Sequence, residues 1–319
     1  VNRLISIFGV VVLTFVMVSV LCPVLIWGLR TLKLTQPIRT ELPADHQAKR
    51  GTPLMAGIIL LIGIVTPLWY SPSKMTIFLG STFLLFSLVG FLDDFKKAAF
   101  QDPSGISGKS KLVLQFTCTG FLLYFLSQID PITPNIILHG DVQLHLHPVI
   151  YIILVMLFIV GSANAINFTD GLDGLLIMVS IPTYFFFFVI SDVIEVQLFS
   201  LVMIACLLGL FLYNAYPARA FMGDTGSLAI GGSLAFLAII EKVEVLIPIL
   251  FFVYFAEQLS VILQVWYFKK TKLRIFKMAP IHYHYSLKYG WSENKIVMVF
   301  GIVSWLCTLI SLLLWKYLM

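Results

Sequence analysis

Long apolar runs follow one another along the whole chain, most of them separated by only short polar segments. The stretches 4–29, 53–70, 75–92, 111–129, 148–168, 173–190, 197–214, 225–240, 245–267 and 296–315 are each predominantly apolar. A helix needs roughly 20 such residues to cross the hydrocarbon core of a bilayer, within a range of about 17–25. The pattern therefore predicts an all-α polytopic membrane protein with about ten transmembrane helices. The second, third, sixth, seventh and eighth runs are near the short limit, so their ends are loosely set. Composition agrees: 59% of the 319 residues are hydrophobic and only 12% are charged. Soluble domains carry about 25% charged residues, so this chain cannot cover a water-facing surface of its size. A soluble enzyme, a disordered chain and a disulfide-stapled secreted domain are excluded. The net charge of +5 is small and scattered, unlike a nucleic-acid-binding surface. Cys22, Cys118, Cys206 and Cys307 all lie inside apolar runs without CxxC spacing and read as small buried hydrophobes. The first run is longer than a signal-peptide core and no A-x-A-like site follows it, so it reads as a helix.

Basic residues orient the runs. Of the 21 Lys and Arg residues, all but Arg3, Lys74, Lys242 and Lys316 fall in one alternating set of loops. Such loops face the cytoplasm, which puts both termini outside and agrees with an even number of spans. The outer segment 130–147 alternates apolar and polar residues around His139-Gly140-Asp141, the pattern of a short hairpin. Residues 1–319 read as a single integral membrane domain, with no internal repeat and no low-complexity tract.

Carboxylates at a membrane edge are costly to bury and mark candidate function. Asp93, Asp94, Asp170, Asp173 and Asp224 come from three separate parts of the chain, yet the topology places all five at cytoplasmic ends of spans. Asp93 and Asp94 close the third run just before Lys96-Lys97. Neighbouring helix positions differ by about 100°, so one carboxylate could handle a proton or a metal while Lys97 holds the other. They could equally be ordinary markers of the membrane edge. Asn164, Asn167, Asp170 and Asp173 recur every three residues, which predicts one slowly drifting polar stripe; an inner loop with a simple helix cap is the alternative. Asp224-Thr225 opens the eighth run after Gly223. A helix N-terminus with glycine and small hydroxyl residues suits an anion, and an acidic residue there suits Mg²⁺ or only caps the helix. His282-Tyr283-His284 lacks a nearby third His or Cys for zinc; contacts to a phosphate or sugar fit a basic loop better. Glu257 and Gln264 are seven residues apart on the ninth run and share a face, looking into the bundle or gluing helices together. Lys49-Arg50-Gly51-Thr52 is either a phosphate-facing turn or a positive-inside anchor.

Acidic groups able to hold Mg²⁺, flanking lysines and a helix N-terminus fit phosphoryl transfer, which relies on positioning and charge stabilisation. A site at the membrane edge suits one soluble and one lipid substrate. The stretches KRGTPLMAG (49–57), VGFLDDFKK (89–97), NAINFTDGLDGL (164–175), NAYPARAFMGDTGSLAIGG (214–232) and KMAPIHYHY (277–285) carry a resemblance. Together they resemble the polyprenyl-phosphate N-acetylhexosamine-1-phosphate transferase superfamily, and within it the phospho-N-acetylmuramoyl-pentapeptide transferase family. The motifs occur in the family's order over nearly the whole chain. The resemblance implies transfer of phospho-MurNAc-pentapeptide from UDP-MurNAc-pentapeptide to undecaprenyl phosphate, giving lipid I and UMP in cell-wall synthesis. It also implies Mg²⁺, a homodimer, ten helices and a site facing the cytoplasm of a bacterial inner membrane.

Residue by residue, the resemblance makes Asp224 the Mg²⁺ ligand and Asp93 the base for the lipid phosphate, with Asp94 in support. Lys111, with Lys109 or Lys49, would neutralise phosphates, and Lys97 and Thr52 would join the substrate-binding residues. Asn167, Asp170, Asp173 and Phe221 would line the nucleoside side, with Asn164 among the substrate-binding residues. Asn214 and Gln264 would complete a polar floor, and His282 and His284 would face the sugar-peptide entrance, with His282 close to the chemistry. Three departures stand out. Tyr283 replaces the middle of three family histidines, Leu54 removes a hydroxyl from the family's GTPTMGG, and Phe168 replaces a leucine. The rival readings are a sister enzyme that transfers GlcNAc-1-phosphate and an ion-coupled transporter. Transporters gather carboxylates near the midplane, often within inverted repeats.

Overall fold

The computed structural model describes residues 2–36, 51–140 and 142–318. Its elements are α1 (Asn2–Thr31), a 3₁₀ segment (Ala56–Leu61) running into α2 (Ile62–Tyr70), α3 (Lys74–Phe100), α4 (Gly108–Ser127), β1 (Asn135–His139), β2 (Val142–His145), α5 (Pro148–Thr169), α6 (Leu175–Ile190), α7 (Ile194–Asn214) and α8 (Gly223–Ile240). A 3₁₀ turn (Glu244–Leu246) then leads to the short α9 (Ile247–Leu250), α10 (Phe252–Thr271), α11 (Ile281–Tyr289) and α12 (Glu293–Leu318). Among the described residues, seven helices are long and apolar enough to cross a bilayer, or eight if the bent pair α9 and α10 counts as one span. The shorter apolar helices Ala56–Tyr70 and Leu175–Ile190 fall on the second and sixth runs. The molecule is a polytopic, mostly helical membrane protein.

Three features depart from a simple reading of the runs. The second run begins extended and turns at Met55 (φ 74°) before the 3₁₀ segment, so half of it is not α-helix. The ninth run breaks, α9 and α10 meeting at a 73° bend. Phe251 sits at the break in the sparsely allowed bridge region (φ −99°, ψ 15°). The third run continues as helix well past Asp93 and Asp94, to Phe100.

α8 is the central element, with every residue from Thr225 to Ile239 buried. α3 packs against it antiparallel. Phe78, near the start of α3, meets Phe236, near the end of α8, edge to face at 5.5 Å. At the other end, Gly90 lies so close that a Cβ there would come within 2.0 Å of the Asp224 carbonyl oxygen. On the α5 side, a Cβ at Gly231 would come within 2.6 Å of the Ala163 backbone. Small residues let membrane helices approach this closely. Here the close approach brings the Asp93-Asp94 turn of α3 onto the first turn of α8.

The expected hairpin is present. β1 and β2 pair antiparallel, Asn135 opposite His145 and Ile137 opposite Gln143. It lies at the end of the molecule away from Asp224. The Gly140 N–H donates to the Leu318 carbonyl, and Lys242, just past the far end of α8, donates to the Thr133 carbonyl and the Tyr151 hydroxyl at 2.6 and 2.8 Å.

Candidate active site

Asp93 and Asp94 project from the last turns of α3 and are 3% and 1% exposed. One step along the helix gives them different partners. Both oxygens of Asp94 face the N-terminus of α8. Oδ1 accepts the Asp224 N–H at 3.1 Å, while Oδ2 accepts the Thr225 N–H at 2.8 Å and its hydroxyl at 2.7 Å. Asp94 therefore caps α8 from a neighbouring helix, satisfying backbone donors that a helix start leaves unpaired. Those N–H groups are consequently not open to an anion, contrary to the sequence expectation for this helix N-terminus. Asp93 instead pairs with Lys97 Nζ at 2.5 Å, one helical turn on, and its Oδ1 accepts the Ile106 N–H at 2.9 Å.

Asp224 sits between these groups. Its Oδ2 is 2.6 Å from Lys111 Nζ and 3.3 Å from Lys97 Nζ, and its Oδ1 accepts from Asn167 Nδ2 at 2.8 Å. Asn167 also donates to the Ser227 hydroxyl. Asp93, Asp94 and Asp224 place one oxygen each within 4.8 Å of one another. Asp170 adds a fourth carboxylate to the neighbourhood. Burial, then the charges of Asp224, Asp94 and Asp173, push its carboxyl up to about 8, against one hydrogen bond from the Gly223 N–H. Lys97 and Lys111 neutralise only part of this negative charge. The residues therefore fit a hard divalent cation, which takes one or two carboxylates and leaves positions for substrate phosphates.

A cleft of about 240 Å³ opens beside the cluster, lined by Asp94, Lys97, Asn167, Asp170, Asp173, Asn214, Phe221, Asp224 and Tyr283, among others. The turn 170–174 supplies one wall. It follows the end of α5 and reaches α6 through Gly174 at φ 78°, a conformation that glycine adopts without steric cost. Asn214 pins this turn: its Oδ1 accepts the Gly174 N–H, and its Nδ2 donates to the Ala220 carbonyl. Asp173 accepts the Ala218 N–H at 2.9 Å.

The expected residues divide. Asp93, Asp94, Asp224, Lys97, Lys111, Asn167, Asp170, Asp173, Asn214 and Phe221 gather at the cluster or the cleft. Others lie elsewhere. Asn164 bonds Gln115 of α4 at 2.7 Å and the Val160 carbonyl, so the every-third-residue pattern does not form one polar face. Gln264 accepts the Ile275 and Phe276 N–H groups, fastening the segment after α10 rather than flooring the cleft. His284 accepts the Lys277 N–H at 3.0 Å and lines a separate recess with Arg274 and Lys288. Desolvation and then the ammonium groups of Lys288 and Lys277 hold its imidazole below the usual range. His282 is fully buried beside Glu257 and is not part of the cleft wall. Lys109 is exposed at the start of α4. The Thr52 carbonyl accepts the N–H of Gln36, a rim residue of the cleft, and Lys49 lies outside the described residues. Sequence reasoning did not single out Gln36, Leu172 or Ser227. Ser227 had a signal: it lies three residues after Asp224, on the same face of a helix.

Residues 75–242 match the family model described as glycosyl transferase family 4. Three relatives carry the name phospho-N-acetylmuramoyl-pentapeptide-transferase. One from Anoxybacillus flavithermus (strain DSM 21510 / WK1) is 38% identical over 309 residues, covering 94% of this chain and 95% of the relative. One from Clostridium perfringens (strain 13 / Type A) is 39% identical over 301 residues, covering 92% and 94%. One from Geobacillus sp. (strain WCH70) is 37% identical over 312 residues, covering 95% of each chain. With two adjacent carboxylates on one helix meeting a third at the start of another, the chain belongs to glycosyl transferase family 4, in its phospho-N-acetylmuramoyl-pentapeptide-transferase branch.

Proposed function

We propose that the protein transfers phospho-MurNAc-pentapeptide from UDP-MurNAc-pentapeptide to undecaprenyl phosphate, releasing UMP, in peptidoglycan synthesis. The observation that carries this reading is the meeting of Asp93, Asp94 and Asp224 with Lys97 and Lys111 at one end of a membrane-embedded bundle. An oxygen of the lipid phosphate attacks the β-phosphorus of the donor. The bond from that phosphorus to the oxygen bridging it to UMP breaks, and UMP leaves with the electron pair. Asp93 takes the proton of the lipid phosphate. Asp94 has a different part: it holds the start of α8, and with it Asp224, in place. Lys111 and Lys97 balance charge on the phosphates, and Asn167 orients the Asp224 carboxylate. Asp170, Asp173 and Phe221 face the nucleoside side of the donor. Asp224 would hold Mg²⁺, which when bound neutralises phosphate charge and orients the diphosphate.

The same reading gives ten spans within a single domain over residues 1–319, both termini outside, the cleft facing the cytoplasm and a homodimer. Its test is UMP release by purified protein with undecaprenyl phosphate, Mg²⁺ and either UDP-MurNAc-pentapeptide or UDP-GlcNAc. Release with the muramoyl donor alone, abolished by EDTA, is expected. Release with UDP-GlcNAc alone would move the protein to the sister reaction. No release with either donor would overturn the transferase reading and call for a transport assay.

A further inference from the structure

Behind the 170–174 wall lies a buried acid–imidazole contact that the transfer step does not use. Glu257 of α10 and His282 of α11 are both 0% exposed, and His282 Nδ1 is 3.1 Å from Glu257 Oε2. The same Oε2 also accepts the His282 N–H at 3.4 Å. The far side of the imidazole is pressed against Gly171, where a Cβ would come within 2.3 Å of His282 Nε2. The next residue, Tyr283, donates its hydroxyl to the Gly171 carbonyl at 3.0 Å, and its side chain lines the cleft. One glycine is therefore gripped from two sides, by packing on its α-carbon and by a hydrogen bond to its carbonyl. Asp170 precedes it immediately and Asp173 follows two residues later.

We propose that Glu257, His282 and Tyr283 form a clamp that fixes Gly171 and thereby aims Asp170 and Asp173 at the donor. The inference rests on the transferase reading for what the wall binds, but not for the grip itself. These three are positioning residues. Glu257 fixes the imidazole, the imidazole sets how deep the turn sits, and the tyrosine sets its rotation. A burial site for a carboxylate inside an apolar bundle is costly, and here it keeps the ring edge-on to a residue that has no side chain.

Size exchange tests the grip. Gly171→Ala should raise the donor KM by about tenfold or more, since the added methyl and the imidazole cannot share the space. His282→Ala in the same chain should recover at least part of that loss, so the two effects are less than additive. Tyr283→Phe, which removes one hydrogen bond, should raise the donor KM by about 2–10-fold, with kcat and the lipid-acceptor KM changed less than twofold. An additive double mutant would show that His282 and Gly171 are not coupled, and a His282→Ala variant that loses kcat at unchanged donor KM would show that His282 acts on the chemistry; either overturns the clamp. Hydrogen exchange needs no substrate: amides 171–175 should exchange faster in Tyr283→Phe than in wild type. Unchanged exchange there overturns the clamp whatever the reaction turns out to be. A wild type with no transferase activity but the expected exchange difference would overturn the donor reading alone.

Discussion

The adjacent carboxylates Asp93 and Asp94 show how much a single position along a helix decides. Asp94 spends both oxygens on the start of α8, whereas Asp93 faces Lys97 and the Ile106 N–H. Asp93→Asn should lower kcat by about 10²–10⁴-fold, the usual range for a lost general base, with a melting temperature near wild type. Asp94→Ala should instead cost about 1–3 kcal/mol of stability, for a lost cap and newly unpaired buried donors; thermal melts in detergent separate the two. Asp170 gives a pH test. Its carboxyl titrates at about 8 in the folded protein and near about 3.9 when unfolded, so the folded state binds the extra proton between those values. The contribution of Asp170 to stability is then greatest below about pH 4, falls as pH rises towards 8 and levels off above it. Melts in EDTA should show this slope, and Asp170→Asn should flatten it. That the carboxylates converge was legible from the sequence, because the topology put all five at the same end of the spans; the structure brings them to one cluster and its cleft. Their division of labour was not, since the 100° step between neighbours does not say which one meets α8.

At the scale of elements, glycine sets the geometry. Gly90 of α3 touches the Asp224 carbonyl of α8, so a side chain there must push the two helices apart just where the carboxylates meet. Gly90→Val should therefore abolish activity and lower the melting temperature, whereas Gly28→Val, at a position with open space around it, should leave both near wild type. A melt and a UMP-release assay on each variant would check this. Hydropathy alone located each of these helices, because about 20 apolar residues have one stable fate in a bilayer. It missed the 73° bend between α9 and α10 and the 3₁₀ start of the second run, since neither changes the run's apolar character. It also read Asn164, Asn167, Asp170 and Asp173 as a single stripe. Asn167, Asp170 and Asp173 do line one cleft, but Asn164, a turn earlier in α5, is taken up by Gln115 of α4, a partner that spacing along one helix does not reveal.

For the molecule as a whole, the hairpin and the carboxylate cluster lie at opposite ends of the bundle, and Lys97 and Lys111 stand at the cluster end. Under the proposed topology, the positive-inside rule would put the cleft on the cytoplasmic side. Exposed Gln143 on β2 and exposed Lys109 near the cluster offer a direct check. With a membrane-impermeant maleimide, Gln143→Cys should label in intact cells and Lys109→Cys only after permeabilisation; the reverse pattern would invert the orientation. The family was legible because its motifs survive as short contiguous strings. The Glu257–His282–Gly171 contact was not, because it joins α10, α11 and the 170–174 turn, which no local pattern connects. The claim on which the rest depends is that Asp224 organises phosphate transfer within this cleft. Its most direct measurement is the mass of the lipid product formed from UDP-MurNAc-pentapeptide and undecaprenyl phosphate in lipid nanodiscs, wild type beside Asp224→Asn. The expected result is a lipid-linked diphosphate sugar-peptide whose rate falls about 10²–10³-fold or more in a variant that melts like wild type. Formation of that product at an undiminished rate by Asp224→Asn would contradict it.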